Sequence, residues 1–120
     1  MSVKENKAIA KRWIETVNSR GFEAFDKVLA KNFVHYNPSD SPWSPDFQGV
    51  EQVRKHFEEW TAEHPTFLVS VDDIIGEGDT VAARLTHSLE GKPVRHAIVF
   101  YKFSDGKIVD NWACSTQIQD

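Results

Sequence analysis

Near Pro65 the spacing of apolar residues changes period, and that change constrains the fold more than any other feature of the chain. Ahead of it apolar side chains recur at helical spacing, with Ile9, Trp13 and Val17 flanked by Ala10 and Ile14 while Lys4, Lys7, Lys11 and Glu15 take the opposite face. Gly21, after Asn18-Ser19-Arg20, suits a C-terminal cap, and Phe22, Phe25, Val28 and Leu29 restart a short second helix expected to end near Lys31. Val50, Val53, Phe57 and Trp60 trace a third helix that His64-Pro65 terminates. Beyond Pro65 the period becomes two. Phe67, Val69 and Val71 alternate, Gly76 to Asp79 turn, and Val81, Ala83, Leu85, His87 and Leu89 alternate again. A turn at Gly91-Lys92 leads to strands over Val94–Phe103 and Lys107–Gln117, joined by Ser104-Asp105-Gly106 as a three-residue hairpin with glycine in the left-handed region.

Between the helical segments, Phe33 to Tyr36 has strand composition and stops at Asn37-Pro38. Residues 38–48 hold Pro38, Pro42 and Pro45 with Trp43 and Phe47, a loop whose aromatics are costly to leave in water and which reads as a lid. The order is therefore ααβαββββ. An α+β domain follows, in which three amphipathic helices close a curved antiparallel sheet over an interior pocket.

At 120 residues, 40% hydrophobic and 12% aromatic, the chain supplies one core with apolar area left to line a cavity. Its net charge of −4, with no basic run longer than Lys11-Arg12, would repel phosphate backbones and excludes nucleic acid as the expected partner. Met1 to Arg12 is charged every few residues and lacks a signal-peptide core, and no stretch approaches the roughly 20 apolar residues of a membrane span. With Cys114 as the single cysteine, the expected compartment is the cytoplasm, with no membrane association. No cofactor is expected: the histidines lack His-x-His or His-Glu-x-x-His spacing, and Gly76-x-Gly78 is a hairpin turn rather than a phosphate loop.

If Phe103 pairs with Lys107, then Phe100 opposes Asp110, Ile98 opposes Trp112 and His96 opposes Cys114 on one face. Ala97, Val99, Tyr101, Val109, Asn111, Ala113 and Ser115 take the other. Both faces are substantially apolar and three helices cover only one, so the outer face is expected to form a homodimer; the alternative is that Ile98 and Trp112 stand singly on a solvated surface.

The element order, "FVHYNP" closing the first strand, "IIGEGDTVAARLT" and "FYKFSDGKIVDNW" resemble the SnoaL-like polyketide cyclase and ketosteroid isomerase branch of the nuclear transport factor 2-like superfamily. The resemblance spans nearly the whole chain and implies a cone-shaped sheet wrapped by three N-terminal helices, of the cystatin-like kind, around a deep pocket and commonly dimeric. It also implies what is missing. Trp13 takes the place of the isomerase's oxyanion-donating tyrosine, Asn37 that of its general-base aspartate and Val99 that of its protonated aspartate. An amide is no base near neutral pH and valine donates nothing, so steroid-type isomerisation by that machinery is not expected. Where related sequences often read Glu-His-Trp-Asp, this one reads Asp110-Asn111-Trp112-Ala113, and the cyclase's acid/base aspartate is absent as well.

By the same comparison His35, Asn37 and His87 face inward, which makes His87 and His35 the candidate acid/base pair. Trp13, Asn37, Phe57, Trp60, Leu85, Val99, Tyr101 and Asn111 are the candidate ligand contacts. Each carries a structural alternative: the histidines as buried groups bonded to backbone, Tyr36 or Tyr101, Asn37 as an Asx turn, Tyr101 packed with its hydroxyl at the rim, and the helical aromatics as core. The expected function is binding of a small apolar molecule, with cyclase, isomerase or hydrolase chemistry on a cyclic or polyketide-like carbonyl compound. A non-catalytic binding or interaction module is the alternative, and an engineered scaffold of this fold a third.

Overall fold

Helix α1 (Val3–Asn18) begins because Ser2 and Glu5 cap it reciprocally. The Glu5 amide donates to Ser2 Oγ at 3.1 Å and the Ser2 amide to Glu5 Oε1 at 3.3 Å, satisfying two donors that a helix start leaves open. The computed structural model to which this belongs describes residues 2–39 and 45–119. At the other end of α1 the left-handed residue is Arg20 (φ 61°) and not Gly21 (φ −79°). The Gly21 amide reaches Thr16 O at 3.0 Å and the Arg20 amide Val17 O at 3.2 Å, the two bonds of a Schellman ending shifted one residue from the expected glycine.

A 3-10 turn (Phe22–Ala24) and a single-turn helix α2 (Phe25–Val28) follow, and strand β1 already starts at Leu29 and runs to Tyr36. The second helix therefore stops short of Lys31, because Leu29 is drawn into pairing with Ile108. Strand β2 (Phe47–Gln48) precedes α3 (Val50–Glu63), and the sheet is completed by β3 (Leu68–Glu77), β4 (Thr80–Leu89), β5 (Lys92–Ser104) and β6 (Lys107–Gln117). Of the expected lid, Trp43 lies outside the described residues, while Phe47 is buried and lies across from His35 in the sheet.

The sheet has the order β2-β1-β6-β5-β4-β3. It is mixed rather than wholly antiparallel: β1 runs parallel to β6, while the other neighbours are antiparallel. Alternation along a strand reports its faces but not its remote partner, so this pairing has no local signature. The last hairpin also differs from expectation. Asp105 (φ 52°) and Gly106 (φ 78°) form a two-residue turn, Ser104 pairs with Lys107, and a bulge beside Phe103 places Phe100 opposite Trp112 and Ile98 opposite Cys114. Against the expected pairing of Phe100 with Asp110 the slip is two residues, so the facing assignments from Ala97 to Tyr101 and from Asn111 to Ser115 survive. Only at the bulge do they change: Ile108 is wholly buried and Val109 half-buried.

Trp13 joins the helical layer, meeting Phe25 edge-on at 4.7 Å and Phe57 at 6.0 Å. The edge strand β3 is tied to α1 by Asn18, whose amide donates to Val69 O at 2.7 Å and accepts from Val69 N at 2.8 Å, so a side chain supplies the pairing that a neighbouring strand otherwise would. Arg20 adds bonds to Pro65 O and Phe67 O.

Candidate functional site

One row of residues crosses the concave face of the sheet, from Val81 through Tyr101, Asn111 and His35 to Phe47, each opposite the next on successive strands. The parallel pairing of β1 with β6 is what sets His35 beside Asn111. His35 Nδ1 and Asn111 Oδ1 share a short hydrogen bond, and both residues are buried. An amide oxygen only accepts, so Nδ1 carries a proton toward Asn111. The ring lies 6.5 Å from that of Phe33 and 5.5 Å from that of Phe47.

Above this row the sheet and helices enclose a cavity of about 70 Å³, walled by Trp13 and Val17 of α1, Val53 and Phe57 of α3, and the inward residues of the strands. That is about half of the roughly 150 Å³ of an engineered apolar cavity that binds benzene. Of the residues singled out from sequence, His35, His87, Trp13, Asn37, Phe57, Leu85, Val99, Tyr101 and Asn111 all line it. Trp60 does not. It packs outside the cavity, on Phe67 at 5.8 Å and His64 at 4.0 Å, one helical turn beyond Phe57.

Three of these residues differ in setting from what their types suggest. Tyr101 is buried at 1% exposure rather than standing at a rim, and burial raises its phenol well above the usual range, keeping it a proton donor. Asn37 Oδ1 accepts from the Ser39 amide at 3.0 Å and from the Ser39 hydroxyl, an Asx turn. His87 packs on Phe67 at 5.7 Å, and burial, with the Arg95 charge second, lowers its pKa to about 4. It is neutral at pH 7, and too weak a base to hold a proton there.

Sequence reasoning overlooked Arg95. It follows Tyr101, Val99 and Ala97 at two-residue steps on the concave face, opposite His87, and its Nε and Nη2 donate to Ser115 Oγ at 3.2 and 3.0 Å. Alternation carried two residues past Ala97 would have found it. Among the described residues no cluster of three or more His, Cys, Asp or Glu side chains is placed to hold a metal ion.

A curved six-stranded sheet around an apolar cavity, with its helices gathered on the concave side, defines the nuclear transport factor 2-like class of α+β proteins. Within that class the chain belongs to the SnoaL-like domain family, whose profile matches residues 10–111. A SnoaL-like polyketide cyclase from Agrobacterium tumefaciens superposes with a TM-score of 0.76 at 19% identity, covering 97% of this chain and 93% of its own. A loop-truncation variant of IdmH gives 0.76 at 24% identity over 92% and 91%. A proposed ketosteroid isomerase from Kribbella flavida gives 0.75 at 19% over 98% and 82%. At these identities the likeness is one of fold. No curated protein matches the sequence.

Proposed function

We propose that the cavity binds a small, largely apolar carbonyl compound and that His35, oriented by Asn111, moves a proton on it as in a cyclase or isomerase. The observation that carries this reading is the buried His35–Asn111 pair inside a largely apolar wall. A third group that holds an imidazole in one orientation is the usual partner of a histidine base. His87 contributes a neutral polar contact in place of the acid/base role its residue type suggests. A ring-sized ligand needs the side chains around the cavity to move outward, since the volume present accepts only a few heavy atoms. Polyketide cyclase and isomerase designations among structurally similar proteins support carbonyl chemistry as the class to test.

The protein is further read as a homodimer through the outer sheet face, where Phe100, Trp112 and Tyr36 stay 45–50% exposed.

The experiment is a thermal-shift screen of small ketones, enones and lactones, followed by turnover assays on any hit. A ligand at about 100 times its Kd stabilises by roughly 2.7 kcal/mol, which is readily measured. His35→Gln is expected to keep binding and lose turnover by about 100-fold or more. Asn111→Ala should bind the same ligand with turnover reduced and its pH profile displaced. A ligand that binds wild type and is never turned over favours the second reading, a non-catalytic binding module, which the lack of Asp or Glu among the described residues lining the cavity supports.

A further inference from the structure

We propose that the hydroxyl of Tyr101 and the side-chain amide of Asn111 together hold the oxygen of a neutral carbonyl group, seating the ligand's C=O in the row that leads to His35. This rests on the reading that the cavity binds a small carbonyl compound, and adds the donors that recognise the carbonyl.

Tyr101 on β5 and Asn111 on β6 stand directly opposite each other, and both line the cavity. Opposed residues of antiparallel strands hold their Cβ atoms about 5 Å apart, so the two side chains rise side by side. Both are almost wholly buried, at 1% and 5% exposure. The Asn111 carboxamide is half used: its Oδ1 accepts from His35, while its Nδ2 has no acceptor among the described residues. Tyr101 Oη has no hydrogen-bond partner among them either, Asn111 included, so space separates the two donors. Neither atom is closed off by packing, and with residues this buried the space they meet is the cavity. A phenylalanine in place of Tyr101 would fill the same volume with no donor to satisfy, whereas a buried hydroxyl without a protein acceptor costs free energy until a ligand or water takes it. Burial raises the phenol well above its usual range, so it stays a donor at neutral pH. The group matched to these donors carries no charge. Among the described residues lining the cavity there is no Asp, Glu, Lys or Arg, and an ammonium or carboxylate would leave water with no fixed opposite charge to meet. A carbonyl oxygen has two lone pairs and accepts from both donors at once. The row continues from Asn111 to His35 on β1, so a C=O seated between Tyr101 and Asn111 lies one strand from the imidazole. When the carbon beside that C=O gives its proton to the imidazole, the bonding pair it leaves moves onto the oxygen, where two fixed donors receive the charge.

The test titrates the intact protein by NMR with butanone, carrying carbon-13 at its carbonyl, and with 2-methylbut-1-ene, which has a methylene in place of the oxygen. Bound butanone should show its carbonyl signal downfield of its position in hexane, the signature of an oxygen that accepts hydrogen bonds. Tyr101→Phe should abolish most of that displacement and weaken butanone about tenfold, while the alkene stays within about twofold and so reports an intact cavity. Asn111→Ala should still bind both probes and lose a smaller part of the displacement. Without ligand, Tyr101→Phe should melt within about 2 °C of wild type, since its hydroxyl has no protein partner to lose. A variant that melts far lower makes the hydroxyl structural and overturns the proposal. If butanone binds wild type with its carbonyl signal at the hexane position, or binds Tyr101→Phe unchanged, the donor pair fails and the carbonyl-binding cavity stands. If the alkene alone binds, or neither probe does, both fail.

Discussion

Burial decides what His87 can do. His87 carries a pKa lowered from 6.5 to about 4, chiefly by desolvation and secondarily by Arg95. Because the folded value lies below the unfolded one, the unfolded chain binds more protons between pH 6.5 and 4, and stability falls as pH drops through that window. The ring is partly exposed, so the loss by pH 4 is expected to be roughly 2–3 kcal/mol rather than the full amount at about 1.4 kcal/mol per pH unit. Urea unfolding of wild type and His87→Asn between pH 7.5 and 4.5 checks this: the variant should lose less stability on acidification by that amount, and parallel curves would refute it. His35 was legible as inward-facing through the family resemblance, and Asn111 through that resemblance together with alternation along its strand. Their hydrogen bond was not, since it depends on two strands 76 residues apart in sequence lying side by side.

The elements owe their ends to polar side chains more than to their apolar stripes. Asn18 closes the junction of α1 and β3 with two hydrogen bonds to one residue of the edge strand. Asn18→Ala should cost about 1–3 kcal/mol in chemical unfolding and speed exchange of the Val69 amide, because both backbone groups lose their partner. Gly21→Ala, by contrast, is expected to change stability by less than about 0.5 kcal/mol. Its φ is −79° and an added Cβ would meet Thr16 Cγ2 at an ordinary 3.4 Å, so the glycine is not needed where the composition suggests it is. A thermal melt separates these outcomes. Helix α1, helix α3 and most of the four long strands could be read directly from their apolar periods, which the strands interrupt only at register shifts such as those after Val71 and beside Phe103. The short α2 could not be bounded, since Leu29 fits a helical stripe and a buried strand equally well.

At the scale of the molecule, an apolar ridge crosses the convex face from Ile75 through Ala82, Phe100 and Trp112 to Tyr36, each opposite the next on five successive strands. Ile75 is 65% exposed and Phe100 meets Trp112 edge-on at 6.2 Å. A ridge this continuous is costly in water, and a second copy laid across it is the expected remedy. Sedimentation should show a dimer that Phe100→Glu converts to monomer with its circular dichroism unchanged; a wild-type monomer at all concentrations would remove the interface. No helix among the described residues is long and apolar enough to cross a membrane.

The sequence by itself determined the class of fold and the inward and outward face of most strand positions, because each follows from residue type and a period of two or near four. Tertiary structure alone decided the parallel union of β1 with β6, the bulge that sets Phe100 against Trp112, the exclusion of Trp60 from the cavity and the meeting of Arg95 with Ser115. These are relations between segments remote in the chain, and no local pattern encodes which remote residue a side chain will meet.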